Sequence, residues 1–363
     1  MSRRVLSFCL IFAVAVAVAP RARAYSVGTG FSEACHERIT GRSLVALMEV
    51  LRENEIQEGG LEIPDNRILR ALMQEIPHVL VEADEELTDL QRFLMVSALI
   101  GVRAPDTEGH SVTNLHHLRK LHGNPDARAL YAHCTRGPDD DWAEGDEAAL
   151  AGTIQEIRDQ VAAAAALNTP GGDHIVHADV YLNFYGPQQV PVYGTSYHLG
   201  RALHAVQDSF SHTIRSDADD LKKIVTLMNY IDAIAGTLKE KRDGLAHSDS
   251  MDRCLREEAA DLTAAAQAAS EDFVLAVLAQ LKGNEDALDG FFVEWMTLKP
   301  GCTMDDDYCG NTRWVKLARR DQTEPYLEEA FGCTAGPQGP ARAWGLLLAL
   351  VVCIAWLRMR RPT

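Results

Sequence analysis

The sequence predicts an all-helical protein built as a single multi-helix domain. Apolar residues recur every three or four positions through most of the chain, which is the spacing of one helix face. Alternating runs of β-branched residues are scarce, and the one tempting stretch, 189–193, is interrupted by Pro191. No Gly/Ser-rich linker and no internal repeat divides the middle of the chain. These observations favour one domain of packed helices.

The helical spacing covers most of the chain in order. The first segment places Leu44, Leu47 and Leu51 on one face, and the second begins at an Asp65 cap. The predicted helices are 42–51, 65–76, 87–100, 147–167, 197–214, 219–238, 254–281 and 287–296. Long irregular loops are expected at 101–113, 135–144 and 169–196, and loops of that length in a small domain often carry function.

The N-terminal segment 1–24 has the pattern of a secretory signal. Arg3 and Arg4 precede a short apolar run, and Ala22 and Ala24 fit the small-x-small cleavage rule. The mature chain is then expected to begin at Tyr25, with a helical metal-binding domain over 25–331.

The C-terminal segment 332–363 has the pattern of a sorting tail. Cys333 is followed by a Gly/Pro-rich spacer, an apolar run at 344–357 and a cluster of arginines. The apolar run is shorter than the roughly 20 residues that a spanning helix needs. The whole tail resembles the myxosortase-type sorting tails of bacterial surface proteins, which implies cleavage near Cys333 by a sorting peptidase. The alternative is a permanent C-terminal transmembrane helix. The tail is the expected membrane contact, and in either case the body of the protein is expected outside the cytoplasm.

The cysteines agree with export into an oxidising compartment. Cys302 and Cys309 lie in one polar loop, and we expect them to form a disulfide. Cys35, Cys134 and Cys254 leave an odd count, whose pairing cannot be read from the sequence. The expected location is therefore the cell surface or outer membrane, or the medium after tail processing.

Charge and missing motifs exclude several classes of function. The formal net charge is −17, no basic patch interrupts it, and aromatic residues are few, so a nucleic-acid partner is not favoured. The chain lacks a G-x-S-x-G elbow, a Gly-rich phosphate loop and a C-x-x-C pair.

The most informative stretch is 197–212, which sets His204, Asp208 and His212 at i, i+4 and i+8. Successive members are offset by only about 40° on a helix, so all three share one face. Two imidazoles and a carboxylate are ligands that suit zinc. The alternative is a buried hydrogen-bonded histidine with the other two groups solvated.

Other residues are candidates to complete such a site. His36 begins an apparent helix, and Asp106 follows a strongly apolar one in a loop with His110. For that loop, an Asx-type turn with an exposed histidine is an equal alternative. Weaker candidates are His174, His177 and His247.

The stretch from Leu203 to His212 resembles the central metal helix of the zinc-dependent phospholipase C family. Its L-H-x-x-x-D-x-x-x-H core is closer still to the heterokaryon-incompatibility branch of that family. His36 and the helix after it are similar to the family's first histidine helix. The family fold is all-helical and is shared with fungal single-strand nucleases.

The resemblance implies a cluster of three zinc ions and a role for each matching residue. His204, Asp208 and His212 would come from the central helix and His36 from the first. Asp106 would bind metal and act as the general base, and His110 would follow as the next ligand. The amino and carbonyl groups of an aromatic N-terminal residue, here Tyr25, bind zinc in the family.

Two departures from the family pattern bear on the number of ions. The gap before His212 is shorter than in the enzymes. A later helix in the enzymes carries His and Glu four residues apart, whereas His247 is followed at that spacing by Met251. This departure implies that one of the three ions is absent.

The sequence thus predicts a secreted or surface-attached, metal-dependent phosphodiester hydrolase. Two or three zinc ions would activate water, and a phospholipid headgroup ester is the favoured substrate among phosphodiesters. The first alternative is a non-catalytic surface protein with one structural zinc site, which would have four protein ligands and no open position. The second is a helical surface protein without metal.

Overall fold

A computed structural model describes most of the body of the chain. The described residues are 34–46, 62–80, 87–111, 114, 127–137, 142–168, 173–182, 185–230, 240–248 and 250–323. They all belong to one unit that ends at Thr323. The predicted secretory signal, Tyr25, the apolar run at 344–357 and Cys333 lie outside the described residues.

Helices dominate the described residues. They are α1 (Cys35–Ala46), α2 (Arg67–Leu80), α3 (Asp89–Thr107), α4 (Ala127–Ala132), α5 (Trp142–Leu167), α6 (Gly194–Ser211), α7 (Glu240–Asp243), α8 (Ala260–Leu281), α9 (Ala287–Trp295), α10 (Asp307–Gly310) and α11 (Thr312–Thr323). Short 3-10 turns lie at Asp217–Asp219, Glu257–Ala259 and Met304–Asp306.

Two small sheets correct the all-helical prediction. β1 (Ile175–Leu182) and β2 (Gly186–Tyr193) form an antiparallel hairpin within the stretch expected to be a loop. Pro191 is tolerated because each strand of this two-stranded sheet is an edge, where a missing N–H need not break a ladder.

The second sheet replaces a predicted helix. β3 (Thr213–Arg215) pairs antiparallel with β4 (Lys223–Leu227), which pairs parallel with β5 (Thr297–Leu298). The helix predicted at 219–238 is therefore wrong over its first part, because the buried β-branched run at Ile224 and Val225 packs as a strand. Residues 231–239 lie outside the described residues.

Helix α3 is longer than its sequence pattern indicated. A capping box between Thr88 and Gln91 starts it, and Glu108 in a left-handed conformation ends it. Residues 101–107, which were expected to begin a loop, form its last turns. Asp106 therefore projects from a helix, which holds it more rigidly than a loop would.

Helices α3 and α6 cross at two glycines. A Cβ added to Gly101 would lie 2.0 Å from the carbonyl oxygen of Tyr197, and one added to Gly200 would lie 2.1 Å from that of Ala98. Only glycine permits backbones this close. The contact brings the C-terminal turns of α3 against the middle of α6, where the candidate ligands begin.

The core packs around α6. Leu203, Val206 and Phe210 are buried in a cluster that also contains Phe273 of α8 and Trp295 of α9. A second cluster joins α2, α3 and the hairpin. The polar ligands of α6 thus share a helix with some of the most buried apolar side chains, which fixes their position.

One described segment, Glu257–Leu281, is long and apolar enough by composition to cross a membrane. It consists of α8 and the 3-10 turn before it. Helix α8 packs against α1, α6 and α9, and Leu262, Ala269 and Phe273 are buried in these contacts. Core packing therefore accounts for its apolar composition.

The described part of the chain forms two disulfides. Cys302 pairs with Cys309, with Cα atoms 5.0 Å apart, which confirms the prediction for this loop. Cys35 pairs with Cys254, and Cys134 is a buried free thiol. This resolves the pairing that the sequence left open, and two disulfides agree with an oxidising environment.

Candidate metal centre

The centre begins on α6, where His204 and Asp208 lie one turn apart. His204 Nε2 lies 3.0 Å from Asp208 Oδ2, and both side chains are buried. His204 Nδ1 donates to the carbonyl oxygen of Val102 on α3 at 2.7 Å. Because that nitrogen carries the proton, Nε2 presents its lone pair to Asp208.

His133 approaches the same point from the end of α4. Its Nδ1 lies 3.0 Å from His204 Nε2 and 3.0 Å from Asp208 Oδ2. Three atoms that normally act as acceptors or ligands thus converge in a triangle, and a proton or a cation must lie between them.

His36 reaches the other oxygen of Asp208 from α1. Its Nε2 lies 3.0 Å from Asp208 Oδ1. Its Nδ1 donates to Gln207 Oε1 at 3.0 Å, and the Gln207 amide group donates in turn to Thr40 and Ser270. This buried chain of hydrogen bonds fixes the ring orientation, as is common behind metal-binding histidines.

Asp106 lies at the open side of these residues. Its Oδ1 is 3.8 Å from His204 Nε2 and 4.0 Å from His133 Nδ1, and its side chain is 34 % exposed. It comes from the last turn of α3, so the close α3–α6 crossing sets its distance. We call these residues the first ligand group: His36, Asp106, His133, His204 and Asp208.

A second ligand group lies beside the first and consists of His212, His247 and Asp252. His212 Nε2 lies 3.0 Å from His247 Nε2 and 3.1 Å from Asp252 Oδ1. His247 Nε2 is also 3.0 Å from Asp252 Oδ2. The ligand atoms of this group lie within 4.8 Å of one another.

His212 does not share a single ion position with His204, as the helical spacing had suggested. Helix α6 ends at Ser211, and His212 caps it with non-helical backbone angles. Its Nδ1 donates to the carbonyl oxygen of His133 at 2.6 Å, which turns Nε2 toward His247. Nδ1 still lies 3.7 Å from Asp208 Oδ2, so the two ligand groups are neighbours.

The donor set fits divalent zinc. In a tetrahedral site with bonds of about 2.0–2.1 Å, ligand atoms lie about 3.3 Å apart. The observed 3.0 Å separations among His133, His204 and Asp208 are close to that value. Imidazole nitrogens with carboxylate oxygens are also the ligands that zinc accepts.

The charges within the cluster stabilise one another. Burial lowers the pKa of His36, but the Asp208 carboxylate outweighs it and raises the pKa to about 10. Burial likewise opposes charge on His212, while Asp208 and Asp252 raise its pKa to about 9. Burial alone would raise the pKa of Asp208, yet His212 and the neighbouring imidazoles hold it well below its ordinary value. Protons can therefore occupy the cluster when a metal does not.

The second carboxylate is tuned in the same way. Partial burial raises the pKa of Asp252, and the adjacent His247 and His212 overcome this and hold the pKa well below its usual range. The Asp252 side chain is 38 % exposed. Both ligand groups thus have one partly exposed carboxylate at their edge, Asp106 in the first and Asp252 in the second.

Three predicted ligands lie elsewhere. His110 lies in the turn after α3, where its backbone N–H donates to Thr107, and it is in neither ligand group. His174 Nδ1 donates to the carbonyl oxygen of Leu167 at the base of the hairpin. His177 is exposed on β1. The sequence placed the latter two in a loop free to approach α6, but hairpin pairing holds them away from the cluster.

Two ligands were missed from the sequence. In the sequence, His133 has no helical or paired spacing with another candidate. In the structure it lies at the end of a short helix, just before Cys134, which has a positive φ. Asp252 lies five residues after His247, one beyond the expected spacing. The polar stretch around His247 was the available signal for Asp252; for His133 there was none.

No protein-family model, curated protein or solved structure matches the chain significantly. The resemblance drawn from the sequence therefore stays a prediction.

Proposed function

We propose that this protein is a zinc-dependent phosphodiester hydrolase of the phospholipase C type. The observation that carries the proposal is the adjacency of the two ligand groups, which meet at Asp208 and His212. A structural zinc site needs only four ligands around one ion. Eight converging histidine and aspartate side chains exceed that need and support more than one ion.

Asp252 bears directly on the number of ions. The sequence departs from the family pattern at Met251, which implied the loss of one ion. Asp252, the next residue, lies 3.0 Å from His247 and 3.1 Å from His212. It supplies the carboxylate that the pattern lacked, so we propose two or three zinc ions.

Bound zinc ions would supply a lowered pKa for a reacting water molecule and a positive charge opposite the phosphoryl oxygens. Asp106 is suited to the role of general base, because its carboxylate is partly exposed and lies within 4.0 Å of both His133 and His204. It would accept the water proton as the oxygen attacks phosphorus. The P–O ester bond would then break, and the alcohol oxygen would leave with the bonding electrons and take up a proton from solvent.

The remaining residues hold the ligands in place. Gln207 accepts a hydrogen bond from the Nδ1–H of His36. The carbonyl oxygens of Val102 and His133 accept hydrogen bonds from the Nδ1–H groups of His204 and His212. Each of these histidines then directs its Nε2 toward the cluster. Such orienting partners commonly raise metal affinity by about 10- to 100-fold.

The substrate and location follow from the rest of the chain. We propose a phospholipid headgroup ester as substrate, because the acidic chain disfavours nucleic acid. We further propose that the protein is exported, since two disulfides form in an oxidising compartment. The tail would attach it to a membrane until a sorting peptidase acts near Cys333.

Metal counting and a phosphodiesterase assay test the proposal together. The full chain should bind two or three zinc ions and hydrolyse a chromogenic phosphodiester, and a chelator should abolish this turnover. Vesicles of phosphatidylcholine should release a phosphorylated headgroup. Asp106→Asn should lower turnover by about 10²-fold or more, whereas the exposed Asp286→Asn should not. One tightly bound zinc without turnover would instead support the structural-site alternative, and no bound metal would exclude both.

A further inference from the structure

The Cys35–Cys254 disulfide joins the chain segments that deliver a ligand to each of the two groups. Cys35 immediately precedes His36 on α1, and Cys254 lies two residues after Asp252. His36 belongs to the first ligand group and Asp252 to the second. The crosslink therefore connects the segments of the two ligand groups, although its cysteines are 219 residues apart in sequence.

The described residues of the segment that carries Asp252, 244–248 and 250–256, form no helix or strand of their own. It runs from the end of α7 to the 3-10 turn at Glu257–Ala259. On one side of Asp252, the buried side chain of Met251 anchors it in the core. On the other side, the anchor is Cys254, whose backbone N–H also lies 3.1 Å from Cys35 Sγ.

Helix α1 depends on the same connection at its start. The helix begins at Cys35, so His36 lies in its first turn, where a helix frays most easily. Farther along, Thr40 accepts a hydrogen bond from Gln207 and fixes the second turn. In the first turn, the disulfide lies immediately before the ligand, and Glu37 immediately after it accepts a hydrogen bond from Arg103 at 2.8 Å.

We infer that Cys35–Cys254 is a positioning crosslink of the metal centre, whose full metal occupancy requires the disulfide. The inference rests on the proposed zinc centre. Ligands must be held within about 0.5 Å of their working geometry, and Asp252 lies between the buried Met251 and the crosslinked Cys254. The cysteines act through His36 and Asp252 and do not themselves bind the ion. The centre is accordingly completed only after the chain reaches an oxidising compartment.

The second disulfide provides a matched control. Cys302 and Cys309 flank the turn Met304–Asp306, which contains no member of either ligand group. The full chains to compare are wild type, C302S/C309S and C35S/C254S. Zinc equivalents and the dissociation constant of the weakest-bound zinc are measured for each, with circular dichroism to follow the fold.

We expect C302S/C309S to bind zinc as wild type does. In C35S/C254S, the weakest-bound zinc should dissociate about 10- to 100-fold more readily, with the helical signal retained. The serine variant also excludes new thiol ligands as the cause of any change. Equal zinc affinity in all three proteins would overturn the inference.

Reduction of folded, zinc-loaded C302S/C309S covers the case in which C35S/C254S does not fold. A trialkylphosphine breaks the Cys35–Cys254 S–S bond to give two thiols and is oxidised to its phosphine oxide with oxygen from water. Zinc release to a competing chelator should then become at least about tenfold faster. An unchanged release rate would contradict the positioning role.

Zinc binding and phosphodiester turnover are measured separately, so the two results distinguish this inference from the proposed hydrolase. If zinc binds and depends on the disulfide but no phosphodiester is cleaved, the hydrolase proposal fails and the positioning role stands. If turnover is present and zinc binding does not depend on the disulfide, the positioning role fails and the hydrolase proposal stands. A wild-type chain that binds no zinc would contradict both.

Discussion

Asp208 Oδ1 lies 3.0 Å from His36 Nε2, so a carboxylate in the last turn of α6 contacts a histidine from the first described helix. The other oxygen of the same carboxylate faces His133 and His204. Asp208 therefore connects ligands from α1, from α6 and from the end of α4, and it lies next to the second ligand group through His212.

Asp208→Asn is expected to remove more metal than any single histidine substitution. The amide keeps the shape of the side chain but loses the charge and presents a donor to imidazoles that need an acceptor or a cation. Bound zinc should fall by at least one equivalent, measured by metal analysis of the dialysed protein. Asp286→Asn, at an exposed helix start, is the control and should retain all its zinc. Full zinc content in Asp208→Asn would contradict the central position given to this carboxylate.

His133→Ala tests the ligand that sequence reasoning missed. Removal of its imidazole takes away the nitrogen that lies 3.0 Å from both His204 and Asp208. We expect the loss of about one zinc equivalent, since a three-ligand remnant holds zinc weakly. His177→Ala, on an exposed strand position, should leave the zinc content unchanged. If both variants kept the wild-type content, His133 would be only a hydrogen-bonding partner.

The helical pattern made the central part of the site predictable. Residues four apart on a helix share a face, so the pairing of His204 with Asp208 followed from spacing alone. His36 and Asp106 were already candidates from the residues, the family resemblance gave each of them a role at the metal, and both lie in the first ligand group. Local spacing therefore predicted the grouping of His204 with Asp208, whereas His36 and Asp106 join them through the packing of other helices.

The remaining errors arose where tertiary contacts decide the outcome. Helix α6 ends at Ser211, so His212 lies in the second ligand group and does not continue the helical face. Helical periodicity does not show where a helix ends. The hairpin kept His177 away because strand pairing there depends on a partner outside the local window. His133 joins the cluster only through the packing of α4 against α6, a long-range contact that no short sequence motif predicts.

The metal-free protein should lose stability as the pH rises. The pKa of His36 is raised to about 10 and that of His212 to about 9, from an ordinary 6.5. A raised pKa means that these groups stabilise the fold fully below about pH 6.5 and lose that contribution as the pH passes through about 9 to 10. The melting temperature of chelator-treated protein should therefore fall over that range.

Zinc should reverse this trend. The metal competes with protons for the same nitrogens, so its affinity is expected to increase with pH across the same window. Asp208 and Asp252 have lowered pKa values, and their contribution is lost only as the pH falls below about 4. A melting temperature that stayed flat from about pH 6 to pH 10 without metal would contradict the charged state assigned to the histidines.

Gly200→Ala should damage both the fold and the site. In an unobstructed helix, alanine is more favourable than glycine by up to about 1 kcal/mol. At Gly200, however, the new methyl group would lie 2.1 Å from the carbonyl oxygen of Ala98, so α3 and α6 must separate. Overpacking of this kind destabilises by about 1–3 kcal/mol. The shift would also move Asp106 and the Val102 carbonyl away from His204, which should weaken zinc binding.

Gly290→Ala is the matched control, because this glycine also lies inside a helix but has no atom within 4 Å of an added Cβ. It should leave zinc affinity unchanged and raise the melting temperature slightly. Thermal melts and zinc titrations of the two variants separate helix propensity from helix contact. If Gly200→Ala were as stable as Gly290→Ala, the close crossing of α3 and α6 could not be what sets the distance between Asp106 and His204.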